Sequence, residues 1–135
     1  MLSESSFPIL EFDSDRLAKL RPGSIVKRVP ESKACVITFF KEVIRKKLET
    51  GELEQIGTSP TETVDIPVYE TKYNGCPVGL VVGFVGAAGS AALLEELIAS
   101  GFEKFVVCGG AGVLKKDIQV GHLILPYAAV RDEGV

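Results

Sequence analysis

The sequence predicts an α/β fold: a three-layer domain with a mixed, largely parallel sheet and flanking helices. Three observations lead to this prediction: short apolar runs typical of buried strands, a helical pattern between two of them, and glycine-rich turns directly after two of the runs. The length of 135 residues favours one domain spanning 1–135. A net charge of −3 excludes the strong basic excess that is typical of a nucleic-acid-binding protein.

The first elements follow an irregular segment, residues 1–32. Ala34–Phe40 is a compact, β-branched apolar run that predicts a buried strand. Lys41–Thr50 predicts a short helix that stops at Gly51. Its apolar side carries Val43, Ile44 and Leu48. Its cationic side carries Lys41, Arg45, Lys46 and Lys47. These cations could form a phosphate site, but the acidic residues interleaved with them favour a solvated helix face.

A hairpin is the clearest local signal. Val64–Tyr73 and Pro77–Phe84 are strand-like runs separated by Asn74-Gly75 and Cys76. Asn-Gly between such runs predicts a tight turn, because both central positions need a positive φ. The second run is apolar on both faces, which predicts a strand in the middle of a covered sheet.

A glycine-rich turn, Gly83–Gly89, leads into a predicted helix. We expect Ser90 to be its N-cap and Gly101 to be the left-handed residue after its end. Its apolar stripe consists of Leu93, Leu94, Leu97 and Ile98.

The last predicted elements are two strands separated by a second glycine turn. Phe105–Cys108 predicts a short buried strand, and Gly109–Gly112 follows it directly. His122–Leu125 predicts a further strand that ends at Pro126. The single histidine, His122, is expected to have a structural role at the start of that strand.

The two glycine turns allow three interpretations. Ligands bind outside the carboxyl ends of strands in open α/β sheets, and backbone N–H groups in such turns can bind an anion such as a phosphate group. A dinucleotide site is a weaker alternative, because Val85 replaces the second glycine of the fingerprint and no acidic residue follows Phe105–Cys108. The glycines could also serve only tight turns and close helix–sheet packing.

The cysteines and the chain start indicate a cytoplasmic protein. Cys35, Cys76 and Cys108 form neither a CxxC pair nor a metal-ligand spacing, so we expect buried free thiols and no metal. Cys108 lacks a nearby base that would activate it as a nucleophile. The first residues lack the features of a secretory signal, and no apolar stretch is long enough to span a membrane.

Residues 81–134 resemble the nucleoside phosphorylase superfamily of the uridine and purine type. Three pieces carry the resemblance in order: the loop Gly83–Gly89 with its helix, the strand with Gly109–Gly112, and the motif Ile118–Pro126. The resemblance implies the N-terminal half of a phosphorylase, which converts a nucleoside and phosphate into free base and ribose 1-phosphate. Phosphate would be the co-substrate, no cofactor is implied, and the catalytic residues stay unknown.

The sequence departs from the family pattern at the phosphate site. Val107 stands where the family has an arginine, and Gly110 stands where it has a serine or threonine. The acidic ribose motif lies in the family's second half. Catalytic activity of this chain is therefore uncertain. The alternative is a non-catalytic module that binds a nucleoside or phosphate, or that serves assembly.

The candidate substrate-binding residues are those of the glycine turns and one loop arginine: Gly86, Gly109, Gly110, Ala111, Gly112 and Arg131. Asp132 and Glu133 follow Arg131 on the same predicted loop. The expected partners are a nucleoside and phosphate, with no nucleic acid and no membrane. We also expect a homo-oligomer, from the resemblance and because missing strands would leave an apolar sheet edge open.

Overall fold

The fold is a mixed five-stranded sheet with two helices. The computed structural model describes residues 6–7, 11, 13–15, 17, 21–23 and 30–131, so Asp132 and Glu133 lie outside the described residues. The elements in chain order are β1 (Ala34–Thr38), α1 (Lys41–Glu49), β2 (Glu54–Ser59), β3 (Ile66–Tyr73), β4 (Cys76–Val82), α2 (Ala87–Ala99) and β5 (Lys104–Cys108). The strand order is β2-β3-β4-β1-β5. The two pairings made by β1 are parallel, and β3 pairs antiparallel with β2 and β4. The predicted α/β fold class is confirmed.

The two helices cover opposite faces of the sheet and give it three layers. Leu93 and Leu97 of α2 pack in one core cluster with Cys35 and Ile37 of β1. Ile44 of α1 belongs to a second, smaller cluster on the other face, formed with Tyr69 and Leu80. Side chains alternate between faces along each strand, which explains why neighbouring residues of β1, β3 and β4 contribute to different clusters.

The predicted hairpin is present. Asn74 and Gly75 have φ values of 49° and 79° and connect β3 to β4, whose register runs from Val68–Val81 to Tyr73–Cys76. The strand β4 lies between β3 and β1, so the prediction of a central strand that is covered on both faces is confirmed.

The prediction that Ser90 caps α2 is wrong. The helix begins at Ala87 and its N-cap is Gly86, which has φ 106° and ψ 149°. This conformation lets the chain leave β4 and turn into the helix earlier than the sequence pattern indicated. Ser90 lies inside the helix, where its Oγ donates a hydrogen bond of 2.9 Å to the carbonyl of Phe84. Gly101, with φ 105°, is the predicted left-handed residue after the helix end.

Strand predictions fail toward the end of the chain. β5 is a strand, but it is not buried: Val106 and Val107 are 62% and 64% exposed. It lies at the sheet edge, and no further strand in the described part of the chain covers it. The predicted strand His122–Leu125 is wrong. Residues 109–131, which include this segment, form neither helix nor strand, and no neighbouring strand pairs with them.

Two smaller predictions also need correction. Only Cys35 is a buried thiol, whereas Cys76 is exposed in the hairpin and Cys108 is half-buried at the end of β5. On α1, Ile44 is buried, but Val43 and Leu48 remain exposed because the helix contacts the sheet along a narrow stripe. No helix in the described ranges is long and apolar enough to cross a membrane.

Candidate functional site

The carboxyl ends of three parallel strands meet at one edge of the sheet. β4, β1 and β5 are neighbours and run in the same direction. The pairing continues one residue past the strands, since Gly83 N–H donates to the Thr38 carbonyl and Phe39 N–H donates to the Cys108 carbonyl, each at 3.0 Å. Ligands bind at this kind of edge in open α/β sheets.

The ring of Phe39 lies at this edge between two glycines. A Cβ atom added at Gly83 would lie 2.9 Å from Phe39 Cζ, and one added at Gly109 would lie 3.0 Å from Phe39 Cδ2. A side chain at either position would crowd the Phe39 ring, so these two glycines contribute to close packing. Sequence reasoning missed Phe39 as a site residue, although its place directly after a buried strand was a usable signal.

A cavity of about 510 Å³ adjoins the second glycine turn. Gly109, Gly110 and Ala111 line one side of it, and His122 lies in the stretch that lines the other. Among the described residues that line it there is no Lys or Arg, and the lining is mainly backbone and apolar side chains. Its volume falls within the range of small-molecule sites, roughly 300–1,000 Å³.

The structure brings only part of the predicted site together. Gly109, Gly110 and Ala111 line the cavity, and Gly112 follows them with open space around its Cα. Gly86 caps α2 and does not line this cavity, and Arg131 is exposed outside it.

A second cavity, of about 250 Å³, lies between β1, β5 and α2. Three phenyl rings, those of Phe39, Phe84 and Phe105, contribute to its lining. The remaining lining is aliphatic apart from Ser90, whose hydroxyl already donates to Phe84. Val107 borders both this cavity and the one at the glycine turn. A charged ligand would find no counter-charge here within the described lining.

Polar groups line a third cavity on the α2 side of the sheet, which sequence reasoning did not find. It measures about 700 Å³, and its walls include Thr58, Thr61, Glu95 and Glu96. The Gly23 N–H donates to Glu96 Oε1 at 3.4 Å across it. Thr58 lies in β2, a strand that the sequence analysis did not predict, and Thr61 follows that strand, so no pattern in the sequence marked these threonines.

Two cations of α1, Arg45 and Lys47, form ion pairs with nearby glutamates. Arg45 binds the carboxylates of Glu42 and Glu49 at 2.6 and 2.7 Å. Lys47 binds Glu52 at 2.6 Å, and this hydrogen bond lowers the pKa of the Glu52 carboxyl. The interpretation of a solvated helix face is therefore confirmed for Arg45, whereas Lys47 is half-buried. Within the described ranges, no group of three or more His, Cys, Asp or Glu side chains could hold a metal ion.

Relatives of known name share part of the sequence and the fold. The chain is 38% identical over 63 residues to a uridine phosphorylase from Thermococcus kodakarensis, which covers 47% of this chain and 23% of that protein. It is 30% identical over 67 residues to a guanosine phosphorylase from Halorubrum lacusprofundi, covering 50% and 28% of the two chains. The matches thus span about a quarter of the relatives' length.

The fold also resembles a solved structure. A uridine phosphorylase from Vibrio fischeri ES114 matches with a TM-score of 0.53 at 20% identity, over 65% of this chain and 36% of that one. The family pattern described as Phosphorylase superfamily matches residues 33–135, which is most of the sequence. The resemblance drawn from the glycine turns is confirmed, and the chain belongs to the phosphorylase superfamily.

Proposed function

We propose that the chain binds a nucleoside beside the turn Gly109–Gly112 and serves phosphorolysis of that nucleoside. The reaction breaks the glycosidic C1′–N bond, forms a bond from C1′ to a phosphate oxygen, and gives free base and ribose 1-phosphate. Phosphate is the co-substrate, and no further cofactor takes part. The observation that carries this proposal is the cavity of about 510 Å³ at the carboxyl edge of the parallel strands.

The turn supplies the polar part of this site. Gly110 has room around it, since a Cβ atom there would have its nearest neighbour at 3.9 Å. A ribose hydroxyl or phosphate oxygen can therefore approach the backbone N–H groups of Gly110 and Ala111 closely. The apolar lining suits the flat face of a base. His122 offers a ring nitrogen at the same cavity, although its Nδ1 already accepts a hydrogen bond of 3.4 Å from the Gln119 N–H.

Nucleoside binding without turnover is the second candidate function. It is favoured by one observation: the described lining of the cavity holds no Lys or Arg. Val107 of β5 stands where the family pattern has an arginine. Backbone N–H groups alone would give a phosphate dianion only partial charge compensation. A binding or assembly module of this kind would keep the scaffold and leave the chemistry to another chain.

Two measurements on folded protein separate the candidates. Calorimetry with a panel of purine and pyrimidine nucleosides measures binding, and chromatography measures free base released with and without phosphate. Base release that requires phosphate supports phosphorolysis, whereas binding without release supports the second candidate. Absence of binding for the whole panel contradicts both.

A matched pair of variants locates the site. Gly110→Val places a branched side chain over the turn and is expected to weaken nucleoside binding at least tenfold. Val43→Ala changes an exposed position on α1 that does not line the cavity, and it is expected to leave binding unchanged. Equal affinities of both variants would place the nucleoside elsewhere.

A further inference from the structure

His122 lies in the lining of the cavity beside the second glycine turn. The sequence pattern indicates a structural role for it at the start of a strand, but no strand forms at this segment. The residue is exposed, and it belongs to neither core cluster of the described residues. A histidine that supports the fold would be packed against such a cluster, so the position of His122 needs another explanation.

A four-residue turn holds the backbone of His122 in place. The N–H of His122 donates to the carbonyl of Gln119 at 3.2 Å, which closes the turn. Gly121 has φ 96°, as the third residue of a type II turn requires, and residues with a Cβ atom rarely adopt this conformation. The local sequence of residues 119–122 therefore determines where the imidazole stands.

Gln119 also fixes the imidazole ring. Its N–H donates to His122 Nδ1 in a long hydrogen bond of 3.4 Å, which makes Nδ1 the acceptor nitrogen. A neutral imidazole has one acceptor nitrogen and one donor nitrogen, so this contact matches a ring whose proton is on Nε2. Backbone and ring are thus held by the same residue, and the Nε2–H group is oriented before any ligand binds.

The cavity suits a neutral hydrogen-bond donor. Within its described lining, His122 and Cys108 are the titratable side chains, and no Asp, Glu, Lys or Arg is present. The charged residues closest in sequence to the turn, Lys115, Lys116 and Asp117, do not line the cavity. The lining thus offers no carboxylate partner to an imidazolium, whereas a neutral N–H donor needs none.

We infer that His122 donates a hydrogen bond from Nε2 to the base of the bound nucleoside. The role at the base rests on the proposed function, whereas the tautomer of the free ring does not. Nucleobases carry carbonyl oxygens and ring nitrogens that accept such a bond. Gly110, Ala111 and His122 line one cavity, so a single nucleoside can meet the backbone N–H groups with its ribose and the imidazole with its base.

This donor acts most strongly while the glycosidic bond breaks. The electron pair of the C1′–N bond stays on the base, and the hydrogen bond from Nε2–H stabilises the negative charge that develops there. His122 keeps its proton. The base takes up the proton that hydrogen phosphate loses on forming ribose 1-phosphate. The effect of His122 therefore falls more on the rate of bond cleavage than on the affinity for the nucleoside.

The chain has a single histidine, so its ring can be observed directly. The full chain is prepared with histidine labelled on the ring nitrogens. Two-dimensional NMR at about pH 8, where a histidine side chain is ordinarily neutral, shows which nitrogen carries the proton. We expect the proton on Nε2 and none on Nδ1. The opposite tautomer overturns the inference, because Nε2 would then be an acceptor.

Titration with uridine and with guanosine tests the contact with the base. The Nε2 signal should shift in step with binding measured by calorimetry, whereas ribose alone should leave it unchanged. Nucleoside binding without a shift at Nε2 overturns the inference and leaves the proposed function standing. Absence of binding for both nucleosides contradicts the proposed function, and the role of His122 at the base falls with it.

Substitutions of His122 separate the donor from the fold. His122→Leu changes an exposed position, so the urea midpoint should stay the same while nucleoside affinity falls roughly two- to tenfold. Phosphate-dependent base release should fall further, on the order of a hundredfold in kcat, because a donor to the developing charge is lost. His122→Gln keeps an N–H donor and should recover part of both losses. Equal affinity and equal release for wild type and His122→Leu refute the inference.

Two glycine variants test whether the turn positions the ring. Gly121→Ala and Gly51→Ala each add a Cβ atom with nothing within 4 Å, and the two glycines have φ values of 96° and 71°. Both substitutions strain the backbone, but only Gly121→Ala is expected to move the His122 ring signals and to weaken nucleoside binding. Unchanged ring signals and wild-type affinity in Gly121→Ala would contradict positioning by this turn.

Discussion

The ring of Phe102 lies directly over Gly79 of β4. A Cβ atom added at Gly79 would lie 2.4 Å from Phe102 Cε1 and 2.7 Å from its Cζ. Phe102 is almost completely buried, and its N–H donates to the carbonyl of Leu97 at 3.2 Å. The missing side chain at Gly79 therefore allows the end of α2 to rest on the centre of the sheet.

Gly79→Ala should destabilise the protein by overpacking this contact. The expected loss is about 1–3 kcal/mol in the free energy of unfolding, measured by urea denaturation. Gly112→Ala is the control, because nothing lies within 4 Å of its added Cβ atom and its φ is not positive. Equal midpoints for the two variants would show that the Phe102 ring moves aside freely.

Gly86→Ala should destabilise the protein through backbone strain. Gly86 has φ 106° and ψ 149°, a conformation that residues with a Cβ atom rarely adopt, and forcing it costs about 1–3 kcal/mol. We expect a lower melting temperature and an unchanged nucleoside affinity in the fraction that remains folded. A variant that melts like wild type but loses affinity would instead assign Gly86 to the binding site.

Serine at two neighbouring positions should affect different properties of the protein: phosphate binding at position 110 and stability at position 109. Gly110→Ser has space for its side chain and adds a hydroxyl beside the cavity, so we expect unchanged stability and tighter phosphate binding. One added hydrogen bond corresponds to about 0.5–1.5 kcal/mol, or roughly two- to tenfold in affinity. Gly109→Ser should instead lower the melting temperature, because its Cβ atom would meet Phe39 at 3.0 Å. Calorimetry with phosphate and thermal unfolding of both variants measure the contrast.

Alkaline pH should destabilise the fold through Cys35. Burial raises the pKa of this thiol from 9.0 to about 12, so above pH 9 the unfolded chain loses the proton while the folded chain keeps it. Stability that is present below pH 9 should therefore fall as the pH rises toward 12. Cys35→Ala removes this contribution, and its urea midpoint should depend less steeply on pH over that range. Parallel pH profiles would contradict a role for Cys35.

The sequence pattern was enough to predict the elements whose backbone conformation is determined by residues close together in the chain. The turn at Asn74-Gly75 needs two positive φ values, and the left-handed Gly101 ends α2 where its apolar stripe ends. Both are decided by residues close in the chain. β2 was missed because its sequence, EQIGTS, has Ile56 as its only large apolar residue, and it is an edge strand stabilised by its pairing with β3.

The site was predicted in part, because long-range packing decides the rest. Gly109–Ala111 follow a strand and line the cavity, and their role in substrate binding stays a prediction. Phe39 reaches the same edge only because β1 lies between β4 and β5, an order that sequence alone does not give. His122–Leu125 has the composition of a strand, but a strand also needs a neighbour to pair with, and the pattern contains no information about that neighbour.

The position of β1 between β4 and β5 sets the order in which the sheet can form during synthesis. β1 is made first of the five strands, yet both of its neighbours are made later, β4 about 40 residues and β5 about 70 residues further along the chain. The antiparallel strands β2, β3 and β4 can pair as they leave the ribosome, since each follows its neighbour directly. β1 must wait for β4, and its second side stays unpaired until β5 emerges. The second side of β1 is thus covered only by β5, the last made of the five described strands, and synthesis that stops before Lys104 leaves β1 as an open edge.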